Sequence, residues 1–258
     1  MDSSLEIKDK KTDIISAKDK KLLFHLTPIK NVESILKNGL KPRSCLNEEN
    51  FEDTANPDII NKREEMGLTK YIPFHFIPNG PYDGSVRKSN PDEDFAYICV
   101  SRSTVKDNCK IIVGHPLNNS TENNSTENNS TENNSTENNS TENNSTENNS
   151  TENNSTENNS TENNSGKLYN WDKGFEKIDW ALIDKRDYTD EACKQMCMSE
   201  ALYLGTITHE NIQCIWVPSA QVGQFEKMKK ELNGKFHIDE KDFLTAENKK
   251  NKKNKKNE

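Results

Sequence analysis

No stretch of this sequence approaches the roughly 18 consecutive apolar residues of a membrane-spanning helix. Residues 1–20 also lack the apolar segment of a secretory signal peptide. The expectation is a soluble chain with no membrane partner, located in the cytoplasm. The six cysteines (Cys45, Cys99, Cys109, Cys193, Cys197 and Cys214) contain no zinc-like CxxC pair. Free thiols in a reducing compartment, and no metal site, are therefore expected. There is no Walker loop, no GxSxG, no HExxH and no dinucleotide-type GxGxxG. Those absences argue against an ATPase, a zinc protease and a Rossmann dehydrogenase.

Apolar side chains are missing altogether from residues 118–165, which read NNSTE nine times and then NNS. A five-residue period without an apolar position matches no helical period and cannot stack into a solenoid core. The segment is expected to be a disordered polar insertion. Closure entropy grows only with the logarithm of loop length, so a surface loop tolerates such an insertion. Setting it aside raises the apolar content from 30% to about 37%. It also changes the charge. The formal −8 reflects 35 basic against 43 acidic residues, and nine glutamates lie in the repeat, so the remainder stands near +1. The acidic balance thus says nothing against a nucleic-acid partner.

The ends are polar as well. Residues 1–20 read as a flexible lead-in, and 245–258 as a disordered tail with six lysines between 249 and 256. What remains suits one domain, residues 21–244, containing the insertion at 118–165. Lys21–Leu26 (KLLFHL) reads as a strand. Thr27-Pro28 carries a helix-start signature, with Thr as cap and Pro at the first helical position. Ile29, Val32, Ile35 and Leu36 fall on one helical face, and Gly39 supplies a stop. Pro57-Asp58 opens a short helix to about Met66. Tyr71–Ile77 reads as a strand, with Pro73 pointing to an edge or a bulge. Asn79-Gly80-Pro81 breaks the chain. Phe95–Val100, Lys110–Val113, Ala201–Leu204 and Ile212–Val217 read as strands, and Thr189–Met198 and Gln221–Leu232 as helices. Short strands interrupted by helices, without βαβ alternation, indicate an α+β fold.

Several polar residues stand in apolar company. His25 interrupts LLF-H-LT, either as a satisfied strand-end histidine or as part of a site. Thr27 offers a hydroxyl beside it. Arg63, in INKREEM, reads on pattern alone as a solvated helix arginine. Glu200, in MCMSEALYL, is either an outward-facing strand residue or a buried acid with a role. His115, after KIIVG, reads as loop-exposed.

Taken in order, FHLTPIKNVESILKNGL (24–40), INKREEMG (60–67), YIPFHFIP (71–78), IIVGHP (111–116), FEKIDWALI (175–183) and QMCMSEALYLGTITHENIQCIWV (195–217) form a set. This set resembles the DarT family of DNA ADP-ribosyltransferases, the toxins of DarT–DarG toxin–antitoxin systems. The resemblance implies an ADP-ribosyltransferase-like fold with two small mixed sheets and helices around an NAD cleft. It also implies transfer of ADP-ribose from the co-substrate NAD to a base, thymine, in single-stranded DNA. It casts Arg63 and Glu200 as catalytic, with Arg63 assigned the proton step. His25, Leu26, Thr27, Asn31, Ser34 and Arg63 would hold NAD, and Tyr71, His75 and His115 would contact DNA. It further implies a macrodomain antitoxin that removes the modification, and a monomeric toxin. Two alternatives stay open: a transferase acting on RNA or another base, and an inactive nucleic-acid-binding module of the same fold.

Overall fold

The computed structural model describes residues 15–46, 51–117 and 167–247, which belong to one compact unit. The NNSTE repeat, most of the lead-in and most of the lysine-rich tail lie outside the described residues. The strands are β1 (Leu22–Pro28), β2 (Tyr71–His75), β3 (Phe95–Ser101), β4 (Cys109–Ile112), β5 (Leu168–Asn170), β6 (Glu200–Leu204), β7 (Ile212–Val217) and β8 (His237–Glu240). The helices are α1 (Ile29–Asn38), α2 (Pro57–Glu65), α3 (Pro81–Ser89), α4 (Arg102–Val105), α5 (Trp171–Lys177), α6 (Trp180–Lys185), α7 (Glu191–Met196) and α8 (Val222–Glu231).

The strands form one mixed sheet in the order β5-β4-β6-β2-β1-β3-β7-β8. All neighbours are antiparallel except β7 and β8. The expected two small sheets are present as its two four-stranded halves. They are joined through a single register pair, Phe24 with His75, whereas β1 and β3 pair over seven residues. Just beyond that junction the His25 ring, not the backbone of β1, meets β2: Nδ1 lies 2.9 Å from the Pro73 carbonyl. The halves therefore part at Pro73, and the cleft opens there.

Two local expectations are corrected. Thr27 and Pro28 end β1 and do not start α1, which begins at Ile29 without a side-chain cap. It needs none at its first residue, because the Ile29 N–H donates to the Asp94 carbonyl at 2.8 Å. Pro73 does not mark a sheet edge. β2 is an interior strand between β6 and β1, and the absent Pro73 N–H is tolerated because the ladder to β1 stops short of it.

Helix α1 buries Val32, Ile35 and Leu36 as its spacing predicts. It ends at Gly39, whose φ of 82° requires glycine and whose N–H closes on the Ile35 carbonyl. Helix α5 sits so close to the sheet that a Cβ on Gly174 would stand 2.5 Å from the Ile111 Cβ. The core residues Ile72, Phe74, Phe76, Ile111 and Ala201 lie on that side of the β2–β6–β4 strands. Phe74 and Phe76 are thus packing residues.

Both ends of the domain are tied down. The Ala17 N–H donates to the Asp184 carboxylate at 2.6 Å, and Arg102 donates to the Ala17 and Lys18 carbonyls, each at 2.9 Å. Ala17 is buried, so residues 15–20, expected in the flexible lead-in, pack on the domain. At the other end Ala246 is buried and its N–H reaches the Asp94 carboxylate at 2.8 Å, so the packed chain continues past 244.

Candidate active site

A cavity of about 480 Å³ opens at the cleft between the half-sheets. Its volume lies in the range of small-molecule sites, roughly 300–1,000 Å³. Strand β1 brings His25, Leu26 and Thr27 to its wall. Helix α1 brings Asn31 and Ser34, helix α2 brings Arg63, β2 brings Tyr71 and His75, and β6 brings Glu200. Every predicted site residue except His115 lines this cavity.

Its most distinctive element is an ion pair. Arg63 Nη1 donates to both Glu200 carboxylate oxygens at 3.0 Å. The two side chains are 16% and 6% exposed, so Arg63 is not the solvated helix arginine of the pattern reading, and Glu200 is a buried acid. Arg63 Nη2 is also buried and has no protein partner. An unsatisfied buried guanidinium nitrogen carries a desolvation cost of roughly 1–3 kcal/mol or more, which a bound acceptor would remove.

His25 is half-buried. A carbonyl only accepts, so the contact with Pro73 places the proton on Nδ1 and leaves Nε2 as an acceptor. Burial depresses the imidazole pKa below 6.5, outweighing the opposing pull of the Pro73 carbonyl. The ring is therefore neutral at neutral pH. Thr27 Oγ1 accepts from the Asn31 amide at 3.2 Å. The same amide donates to the Glu52 carbonyl at 2.9 Å and accepts the Glu52 N–H at 2.8 Å. The Asn31 amide thus spends one donor on Thr27, and its other donor and its oxygen pin Glu52 at the cavity wall. Ser34 is exposed at the rim and accepts from the Asn38 amide at 3.2 Å.

His115 stands outside the cavity wall, but Glu200 and Arg63 are within electrostatic reach of it. Burial lowers its pKa, and its Nδ1 accepts the Leu117 N–H at 3.0 Å. The loop carrying it is fastened to the strand of Glu200 through Ser199. The Ser199 Oγ accepts the Gly114 N–H at 2.8 Å and donates to the Met196 carbonyl at 2.7 Å.

Among the lining residues that sequence reading missed, three carry chemistry of their own. Tyr82, in α3, lies 5.2 Å from the His75 ring at a 30° tilt. Burial, and then the nearby Glu200 charge, push its phenol pKa up to about 12. Helix α3 is fixed by Asp83, a fully buried acid that accepts from Tyr97 Oη at 2.7 Å and the Gly80 N–H at 2.9 Å. Arg43 and Asp53 also line the cavity and pair with each other, with one contact of 2.8 Å. The signal for Tyr82 was hidden because Asn79-Gly80-Pro81 reads as a break. In the structure Pro81 is the first residue of a helix capped at Gly80.

The DarT family model, described as ssDNA thymidine ADP-ribosyltransferase, matches residues 24–162. This chain belongs to the DarT family. The match spans more than half of the sequence and includes the opening motif around His25, Arg63 and the β2 block. Solved structures of the same fold include Thermus sp. 2.9 DarT in complex with ADP-ribosylated ssDNA. It superposes with a TM-score of 0.59 at 13% identity, over 87% of this chain and 96% of that one. Thermosipho africanus DarTG in complex with ADP-ribose gives 0.57 at 17% identity, over 87% of this chain and 51% of that longer one. Thermus sp. 2.9 DarT in complex with NAD+ gives 0.55 at 12% identity, over 88% and 98%. No curated protein matches the chain. Among the described residues no helix is long and apolar enough to cross a membrane.

Proposed function

We propose that this DarT-family chain transfers ADP-ribose from NAD to thymidine in single-stranded DNA, as the toxin of a toxin–antitoxin pair. The observation that carries the reading is the buried Arg63–Glu200 pair, with its unpartnered Arg63 Nη2, in a cavity shared with a neutral His25. NAD supplies the ADP-ribosyl group and a nicotinamide that leaves with the electrons of the broken glycosidic bond. His25, through Nε2, accepts a hydrogen bond from a hydroxyl or amide of NAD, with Thr27 and Leu26 beside it. Asn31 positions the 51–55 segment, and Ser34 lies at the rim. Glu200 stabilises the positive charge that develops on the ribose and accepts from a ribose hydroxyl. For that it must share Arg63 with the incoming ligands.

As the new bond to the ribose forms, the acceptor nitrogen of thymine loses its proton to solvent water, and the C1′–nicotinamide bond breaks with its electrons on nicotinamide. Arg63 sits on a carboxylate and presents a planar fork of donors, so its role here is to orient the base and disperse charge. The base must leave any stack to reach the cleft, which suits single-stranded substrate. Tyr71, His75 and His115 are the DNA-facing candidates. A macrodomain antitoxin that removes the modification, a monomeric state and a cytoplasmic location complete the reading.

The test is mass spectrometry of single-stranded oligonucleotides, one per base, incubated with the protein and NAD. The Glu200→Gln variant, which keeps the side-chain size and an acceptor for Arg63, runs beside the wild type. The expected result is an NAD-dependent ADP-ribose adduct on thymidine alone, reduced about 10²–10³-fold in the variant. An adduct only on RNA, or on another base, replaces the substrate. No adduct from folded protein that binds NAD makes the chain a binding module.

A further inference from the structure

Directly opposed residues of an antiparallel ladder point to the same face. The register therefore extends the face that carries Glu200 well beyond the cavity. Glu200 opposes His75 on one side and Ile112 on the other, and Ile112 opposes Leu168. One step along, Pro73, Leu202, Lys110 and Asn170 form a second row, and Tyr71 with Leu204 begins a third. The end of α2 covers the middle of this face, where Leu68 packs with Ile112 and Leu202. Beyond that cover the face is open. Leu204 is 53% exposed and Leu168 41%, two of the three exposed large hydrophobic residues among those described.

A second cavity, of about 340 Å³, opens where these strands end, with Tyr71, Leu204 and Lys110 of this face and Trp171 and Lys106 beside them in its wall. Tyr71 lines both cavities, so its side chain is the wall they share. Lys70 Nζ stands 5.5 Å from the Tyr71 ring, and Lys110 Nζ donates to Asn170. Asp107 and Asp172 also line it and balance Lys106 and Lys110, and Lys70 beside Tyr71 adds one positive charge.

We propose that this outer face of the β2–β6–β4–β5 half-sheet is the track for the single strand that flanks the acceptor base. The inference rests on the proposed function for its direction, since it leads to Glu200. Apolar and aromatic surfaces at Tyr71, Leu204 and Leu168 are matched to bases. The amines of Lys70, Lys106 and Lys110 are matched to phosphodiesters. A folded duplex cannot lay its bases on a sheet face in this way. The track accounts for an edge half-sheet that leaves its leucines uncovered beside a catalytic cleft.

The test uses the full-length protein, NAD, and thymidine oligonucleotides of about four and about twenty nucleotides. Two variants outside the catalytic cavity are compared with wild type: Lys106→Glu/Lys110→Glu, and Leu204→Ser. The expected result is a roughly tenfold rise in KM for the long oligonucleotide, with its kcat and the short-oligonucleotide kinetics unchanged. The lysine variant should also flatten the salt dependence of KM by about 1.4 in log–log slope, at ~0.7 per lost contact on single strands. Wild-type KM and slope on the long oligonucleotide, or equal losses on both lengths, overturn the track. If wild type modifies no DNA, the proposed function fails separately. The track is then decided by fluorescence anisotropy of a labelled twenty-nucleotide strand. Weaker binding by both variants supports it, and unchanged binding rejects it.

Discussion

His25 and Tyr82 set the protonation of the cleft from opposite directions. Burial holds His25 below its ordinary pKa of 6.5, so the folded chain binds fewer protons there than the unfolded chain does. The stability that this neutral ring contributes is present above pH 6.5 and is lost as pH falls from 6.5 through the folded value. His115, also lowered by burial, acts in the same sense. His25→Asn keeps a donor for the Pro73 carbonyl without a titrating ring. It should therefore show a smaller loss of Tm between pH 7 and pH 5 than wild type, the remainder being due to His115 and the carboxylates. An unchanged pH slope would remove His25 as a contributor. Tyr82, with its pKa near 12, stays protonated throughout this range. Its ring, tilted against His75, offers a planar surface in the cavity. Tyr82→Ala should raise the KM for NAD or for DNA about tenfold, consistent with the roughly 1–3 kcal/mol of a stacked base. Tyr82→Phe should stay within about threefold of wild type. Steady-state kinetics in both substrates distinguish the two, and an equal fall in both variants would assign the effect to the hydroxyl.

At the scale of elements, close approach explains more than propensity does. Gly174 is a poor helix residue, yet α5 runs over β4 at that point with no room for a Cβ. Gly174→Ala should destabilise the domain by about 1–3 kcal/mol despite its better helix propensity. Chemical denaturation measures this, and a stabilised variant would show that α5 can lift off the sheet freely. The same contrast governs what was legible in the sequence. The apolar periodicity of α1 and the continuous run of β3 report burial, the Pro57-Asp58 opening of α2 reports a first helical turn, and each was readable. The three-residue β5 and the polar β8 were not, because their place in the sheet rests on backbone pairing with β4 and β7, which leaves no apolar pattern. Helix α3 was hidden behind a turn whose proline begins it. Pro73 misled because an interior strand tolerates proline only where its neighbour diverges, and that divergence belongs to the cleft, not to β2 alone. In the site, Arg63 and Glu200 are 137 residues apart. Only the family resemblance joined them in advance, since neither residue has a local pattern that marks it as buried.

For the whole molecule, the insertion joins two strands that pair with each other. Ile112 of β4 stands opposite Leu168 of β5, so residues 113–167 form the connection of one antiparallel pair. Its two ends are therefore held by the sheet whatever its length, and the edge they flank belongs to the half-sheet that carries Glu200. If the NNSTE tract contributes chain length alone, its cost is the entropy of closing that loop, about 0.6 kcal/mol per doubling. Replacing residues 118–165 by a seven-residue Gly/Ser linker shortens the 55-residue connection about fourfold. The shortened protein should then be more stable by about 1.2 kcal/mol, which for a domain of this size raises Tm by roughly 2–5 °C. Transferase activity on the four-nucleotide substrate should stay unchanged, because every described residue of the cavity wall is kept. Differential scanning calorimetry and the adduct assay read these two quantities independently. A lower Tm would mean that the repeat packs on the domain, and lost activity with a raised Tm would assign it a part in the reaction beside Glu200. Either result would end its description as inserted length.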